Sequence, residues 1–114
     1  MAPPSKLAIA TSVVRRLMKE EASYHKEIEQ QQIRIQTMEN SGDGENVEYE
    51  LKQEKQALAE TRTVLISMKG KIQKAINQLE EEIEQNQHVD DVTSVEEVAK
   101  AKEIIAEAKA RYAS

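Results

Sequence analysis

The chain contains no cysteine, no tryptophan and no phenylalanine, and its few aromatic residues are tyrosines: Tyr24, Tyr49 and Tyr112. Without cysteine, disulfides and thiolate metal sites are excluded, and a reducing compartment is consistent with the composition. Without large aromatic side chains a thick globular core cannot be filled. Proline occurs only at positions 3 and 4 and glycine only at 42, 44 and 70, so helix breakers lie almost wholly outside the long runs. No apolar run approaches the roughly 20 residues that cross a bilayer. A basic excess is missing as well: 16 Lys and Arg stand against 21 Asp and Glu, a net charge of −5. Nucleic acid calls for a basic face, so it is not an expected partner.

What the chain has in quantity is charge, at 32% of its 114 residues, together with Gln and Ala. Glu, Gln, Lys and Ala are good helix formers, and long helices can share a narrow apolar seam where a globule cannot form. In the first third, Leu7, Ala10, Val14, Leu17, Tyr24, Ile28, Ile35 and Met38 recur by threes and fours. This predicts a heptad helix from about residue 5 to 39, with Pro3 and Pro4 just before it or in its first turn. Glu21 and Gln31 interrupt the seam and, like Glu54 further along the chain, are expected at its edge, near Arg or Lys, because burying a lone carboxylate costs several kcal/mol. Residues 1–19 contain no acid and carry Lys6, Arg15, Arg16 and Lys19, a faint likeness to a mitochondrial transit peptide. The apolar phase runs on unbroken past residue 19, which reads instead as the first half of a structural helix.

The cluster NSGDGEN at 40–46 is a turn, since Gly and Asn accept positive φ, and its shortness predicts an antiparallel return. A second helix is predicted over 47–85. Its seam is Leu51, Leu58, Leu65, Met68, Ile72 and Leu79, flanked by Ile76 and Ile83 and interrupted by Glu54 and Thr61. Leu65 is expected at the centre of this seam. Gly70 is a weak point, about 1 kcal/mol worse than Ala. After a connection at 86–93, SVEE reads as a capping box with Glu97 at N3, opening a third helix over 94–112. Its seam is Val98, Ala101, Ile105, Ala108 and Tyr112, flanked by Val95 and Ile104. The expected fold is all-α: residues 1–114 form one domain, an elongated three-helix bundle, long-long-short and coiled-coil-like, with antiparallel neighbours.

Catalytic and metal chemistry find no support. His25 and His88 lack the spacing that grips zinc from one helix face, and read as solvent-facing. EEEIE at 80–84 reads as a solvated acidic face, since a continuous helix cannot wrap oxygen ligands around one calcium ion, and GDGEN lacks the spacing of an EF-hand. No Ser or Thr has a His partner at a plausible position. The chain reads as a non-enzyme without cofactors.

What remains is surface. Lys69, Lys71 and Lys74 precede Glu80, Glu81, Glu82 and Glu84, the reverse of the order the helix dipole prefers. This reads either as i,i+4 self-pairing or as a banded face matched to a charged partner. Ile66 falls outside the seam; it either packs under the third helix or is an exposed apolar contact.

The run TSVVRRLMKEEASYHKEIEQQ at 11–31, followed in order by DGEN, YELKQE and LAETR, resembles the tubulin-binding cofactor A family over residues 7–80. The resemblance implies a small three-helix chaperone that captures β-tubulin after chaperonin release and passes it along the tubulin assembly pathway. The implied partners are β-tubulin and other tubulin-folding cofactors, with neither nucleic acid nor membrane. The implied setting is the cytoplasm, associated with the cytoskeleton, as a monomer or weak homodimer. The chain departs from the family in having Val47 and Glu48 between the turn and Tyr49, and Ile66 where many members have proline. A bend near Ile66 or Gly70 is therefore left open.

The expected partner-binding residues are Tyr49, Lys52, Lys55 and Ile66. Tyr49 carries two readings: its ring lies over the end of the first helix near Met38 with the hydroxyl in water, or it touches the client. The competing functions are a structural coiled-coil protein, which would favour an uninterrupted heptad run, and a prefoldin-like subunit, which would need strands that NSGDGEN is too short to hold.

Overall fold

A computed structural model describes residues 4–42, 44–87 and 92–112. These form three helices, α1 (Lys6–Ser41), α2 (Val47–Asn86) and α3 (Val92–Tyr112), with no strand among the described residues. The all-α, long-long-short order read from the apolar spacing is the observed one.

Each end has a local cause. Ser5 caps α1, its Oγ accepting the Ala8 N–H at 3.0 Å. At the far end Gly42 takes φ +47°, a conformation that L side chains rarely adopt, and its N–H donates to the Met38 carbonyl at 3.1 Å. The α1–α2 turn closes where Val47 N–H reaches the Gly44 carbonyl at 3.3 Å. Glu48 and Glu50 then occupy the first turn of α2, the favourable end of its dipole for acids. The last turn of α2 is closed by Asn86, whose Nδ2 donates to the Glu82 carbonyl at 2.7 Å. Lys109 and Arg111 sit in the last turn of α3, where cations are favoured.

The third helix starts differently from its expected capping box. Val92 and Thr93, expected in the connection, are helical, so Ser94 is inside α3 rather than at its cap. The Glu97 carboxylate, expected to reach back to its own helix start, instead accepts the Ser5 hydroxyl at 2.6 Å. A tertiary donor, the Ser5 hydroxyl, has taken the side chain that a local motif would use. His88 and residues 89–91 of the 86–93 connection lie outside the described residues.

The chain divides into two compact units. Unit 1 comprises residues 1–19 and 70–114, and so holds the start of α1, the end of α2 and all of α3. Its core is Leu7, Val14, Leu17 and Met18 from α1, Ile72, Ile76, Leu79 and Ile83 from α2, and Ala101, Ile104, Ile105 and Ala108 from α3. The two alanines bury without a large side chain and let α3 approach closely. α1 and α3 run parallel here: Ser5 meets Glu97, and Arg111 Nη1 donates to the Met18 carbonyl at 3.3 Å. Lys109 of α3 bridges Glu80 of α2 at 3.6 Å. Residues 6–19 are thus core-forming helix, as the continuous apolar phase implied.

Unit 2 comprises residues 20–69, the α1–α2 hairpin. Ion pairs across it fix its antiparallel register: Arg34 Nε to Glu54 Oε1 and Lys55 Nζ to Glu39 Oε1, each at 3.4 Å. Its core is thin. Among the described residues Leu58 and Met68 are its only buried apolar side chains, accompanied by the polar Glu21, Gln31 and Thr61.

Three expectations about the seam are corrected. Glu21 and Gln31 are not at its edge: they are 6% and 3% exposed, because their heptad phase turns them inward. Glu21 has a partner, while Gln31 Oε1 is buried without a hydrogen-bond donor. Leu65 is only half-buried, and its neighbours Leu58 and Met68 are the enclosed residues. Nor is EEEIE wholly solvated. Glu82 is buried in unit 1 and accepts from Gln78 Nε2 at 3.2 Å, since it occupies a seam position of α2. Glu54, half-buried and bridged to Arg34, is where the sequence reading put it. Thr61 is buried at low penalty because its hydroxyl donates to the Ala57 carbonyl at 3.0 Å.

Candidate functional site

Among the described residues no group of three or more His, Asp or Glu side chains is placed to hold a metal ion. No helix of the described residues is long and apolar enough to cross a membrane. The surface, then, is where a function must be sought.

The four expected site residues all lie on the first half of α2, in unit 2, and all are exposed. Ile66 is 72% exposed, so it does not pack under α3. Tyr49 is 66% exposed in the first turn of α2, so most of its side chain is open to solvent. Lys52 is exposed, and Lys55 holds Glu39 across the hairpin.

A helix advances about 100° per residue, so Lys52, Lys55 and Ile66 fall within about 60° of one another. Tyr49 lies about 60° further round from Lys52 and is not on the same stripe. Continuing along α2 on the side away from Tyr49 adds Ala59, Arg62 and Lys69, all exposed, with Lys69 about 100° round from Lys52. The spacing 52, 55, 59, 62, 66, 69 is an alternation of threes and fours, as regular as the seam but on the outside. Of the six basic side chains in residues 20–69, this stripe carries four. Lys52, Arg62 and Lys69 form no ion pair among the described residues, so their charges are free to meet a partner.

Sequence reasoning missed Arg62 and Lys69 as members of this face. The signal was present in their spacing from Lys55, but it is visible only when the periodicity of cations is read as carefully as that of apolar residues. The proposed i,i+4 self-pairing of Lys69, Lys71 and Lys74 is not seen: none has an ion pair among the described residues, and Glu80 pairs with α3 instead. Chemically the face offers a cationic strip with one aliphatic side chain standing out of it. Such a strip can bind a partner with complementary charge and an apolar anchor point; it holds no nucleophile with an activating base.

A family model described as "Tubulin binding cofactor A" matches residues 2–105. Proteins called "Tubulin-specific chaperone A" from Mus musculus and Oryctolagus cuniculus are each 32% identical to this chain over 91 residues, covering 80% of it and 82% of their own length. The crystal structure of tubulin folding cofactor A from Arabidopsis thaliana superposes with a TM-score of 0.74 at 25% identity, over 91% of this chain and 92% of that one.

Proposed function

Because this chain belongs to the tubulin-binding cofactor A family, we propose that it is a tubulin-folding cofactor that captures β-tubulin intermediates after chaperonin release and passes them on. The observation that carries this reading is the match of residues 2–105 to the family, which takes in all of α1 and α2 and most of α3. The exposed stripe Lys52, Lys55, Arg62, Ile66 and Lys69 supplies the docking face in this reading, with Tyr49 standing to one side of it. The partner would be bound by charge and a single apolar anchor. Such a surface suits a transient client, since rim charge acts mainly on association rate and specificity.

The mechanism is binding without catalysis and without a nucleotide. The protein acts as a monomer or weak homodimer in the cytoplasm, and hands its client to other tubulin-folding cofactors. A structural coiled-coil role is disfavoured by the break between α1 and α2, which ends the heptad run and returns α2 along α1. The test is capture of purified β-tubulin and of chaperonin-released β-tubulin, compared with α-tubulin, with nucleotide left out. The reading expects selective capture of β-tubulin, and capture of neither form would overturn it.

A further inference from the structure

The two units treat the same edge of α2 in opposite ways. Counted in sevens, this edge reads Lys55, Arg62, Lys69, Ile76, Ile83. The two isoleucines are buried in unit 1, the unit that contains α3. The three cations are exposed in unit 2, which is a hairpin without a third helix. The edge is apolar where a third helix belongs to the unit, and cationic where none does.

The hairpin seam beside those cations is also incomplete. Tyr24, Ile28, Ile35, Met38, Leu51 and Leu65 follow the heptad phase of core residues, yet all remain half-buried. The equivalent positions of unit 1, such as Val14, Ile72 and Leu79, are enclosed. A two-helix seam with half-covered apolar residues is the groove that an amphipathic helix fills. Charges flanking such a seam select the helix that enters, by favouring the opposite sign and penalising the same one.

We propose that the open seam of unit 2 docks an acidic amphipathic helix from a partner protein. Its apolar stripe covers Ile28, Ile35 and Leu65, and its carboxylates meet Lys55, Arg62 and Lys69. This gives the candidate site a ligand chemistry, and rests on the tubulin reading for the identity of the client alone. Lys55 already holds Glu39, so Arg62 and Lys69 are the two cations that a partner carboxylate meets unoccupied.

The probe is a synthetic peptide of about 18 residues, enough to cover Tyr24 to Met38, with Leu at heptad positions a and d and Glu at e and g. A scrambled peptide of the same composition is the control. The full chain, methyl-labelled, is titrated with each. The proposal expects shifts at Ile28, Ile35 and Leu65 and none at Ile76 or Ile83, with little binding of the scrambled peptide. The double variant Arg62→Glu/Lys69→Glu should keep its helical circular dichroism and bind about tenfold more weakly. Equal binding by the scrambled peptide or by the double variant would overturn the proposal. So would shifts confined to unit 1, or sedimentation showing a stable dimer in which a second copy covers the seam. Capture of β-tubulin, run in parallel with the peptide as competitor, separates the two readings. Capture without any peptide binding removes the groove and leaves the function; peptide binding without capture removes the function and leaves the groove.

Discussion

Lys55 and Glu39 meet across the hairpin, Nζ to Oε1 at 3.4 Å, with both side chains about half exposed. The pair links the site face of α2 to the end of α1. An exposed pair of this kind contributes about 0–1 kcal/mol, because solvent screens it and two long side chains must be ordered. Its charge matters less to the fold than to whatever approaches the stripe. The double substitution Lys52→Glu/Lys55→Glu should therefore leave helicity nearly intact. It should weaken tubulin capture and flatten its salt dependence, since opposite charges across an interface are screened by added ions. Circular dichroism beside capture at low and high salt checks this. Full capture with unchanged salt dependence would move the binding face to α3 or the outer side of α1.

Leu79 and Leu65 lie two heptads apart on α2, yet Leu79 is fully enclosed and Leu65 is half-buried. Leu79→Ala should destabilise by about 2–5 kcal/mol, from lost burial plus the cavity left behind. Leu65→Ala should lose about half as much, since less apolar area leaves water on folding. Urea denaturation of both variants tests the order; equal losses would mean that the seam of unit 2 is as closed as that of unit 1.

Gln31 is buried with Oε1 lacking a donor. An unsatisfied buried acceptor costs about 1–3 kcal/mol, so Gln31→Leu should raise stability by about that amount. A polar group at such a seam position can also fix register at the expense of stability. The variant's denaturation midpoint is the readout. A lower midpoint would show that the amide is satisfied in solution, by water or by a shift of the hairpin.

Unit 2 encloses only Leu58 and Met68 among its described apolar side chains, whereas α1, α2 and α3 all contribute several to the core of unit 1. Amides of residues 20–69 should therefore exchange with solvent faster than those of α3 and of 70–86, because local opening follows the amount of buried apolar contact. Native-state hydrogen exchange resolves the two sets, and uniform protection through both would contradict the contrast in their cores.

The fold was legible because its determinants are local or periodic. The heptads of α1 and α2, the glycine turn and the alanine stripe of α3 each follow from neighbours a few residues apart. What was not legible depends on a distant segment. Glu97 was assigned to its own helix start, and only the approach of Ser5, far away in the chain, takes it elsewhere. Glu21, Gln31 and Glu82 were given the edge or the surface by their polarity, yet their phase on the helix decides, and the phase puts them inside. Leu65 looked central because nothing in its heptad reveals that the third helix belongs to the other unit. Of the expected site residues, Lys52, Lys55 and Ile66 are exposed within about 60° of one another on α2. Tyr49 is exposed but stands off that face, and Arg62 and Lys69 complete it.

The most direct test of the account is β-tubulin capture by the parent chain and by Ile66→Asp, with circular dichroism on the same samples. Ile66 is exposed on the stripe and away from either core, so the substitution should leave the helical signal unchanged. The account predicts that the parent captures β-tubulin without nucleotide and that the folded variant captures markedly less. A folded variant that captures as well as the parent would contradict the assignment of this face, and a parent that captures no β-tubulin would contradict the function itself.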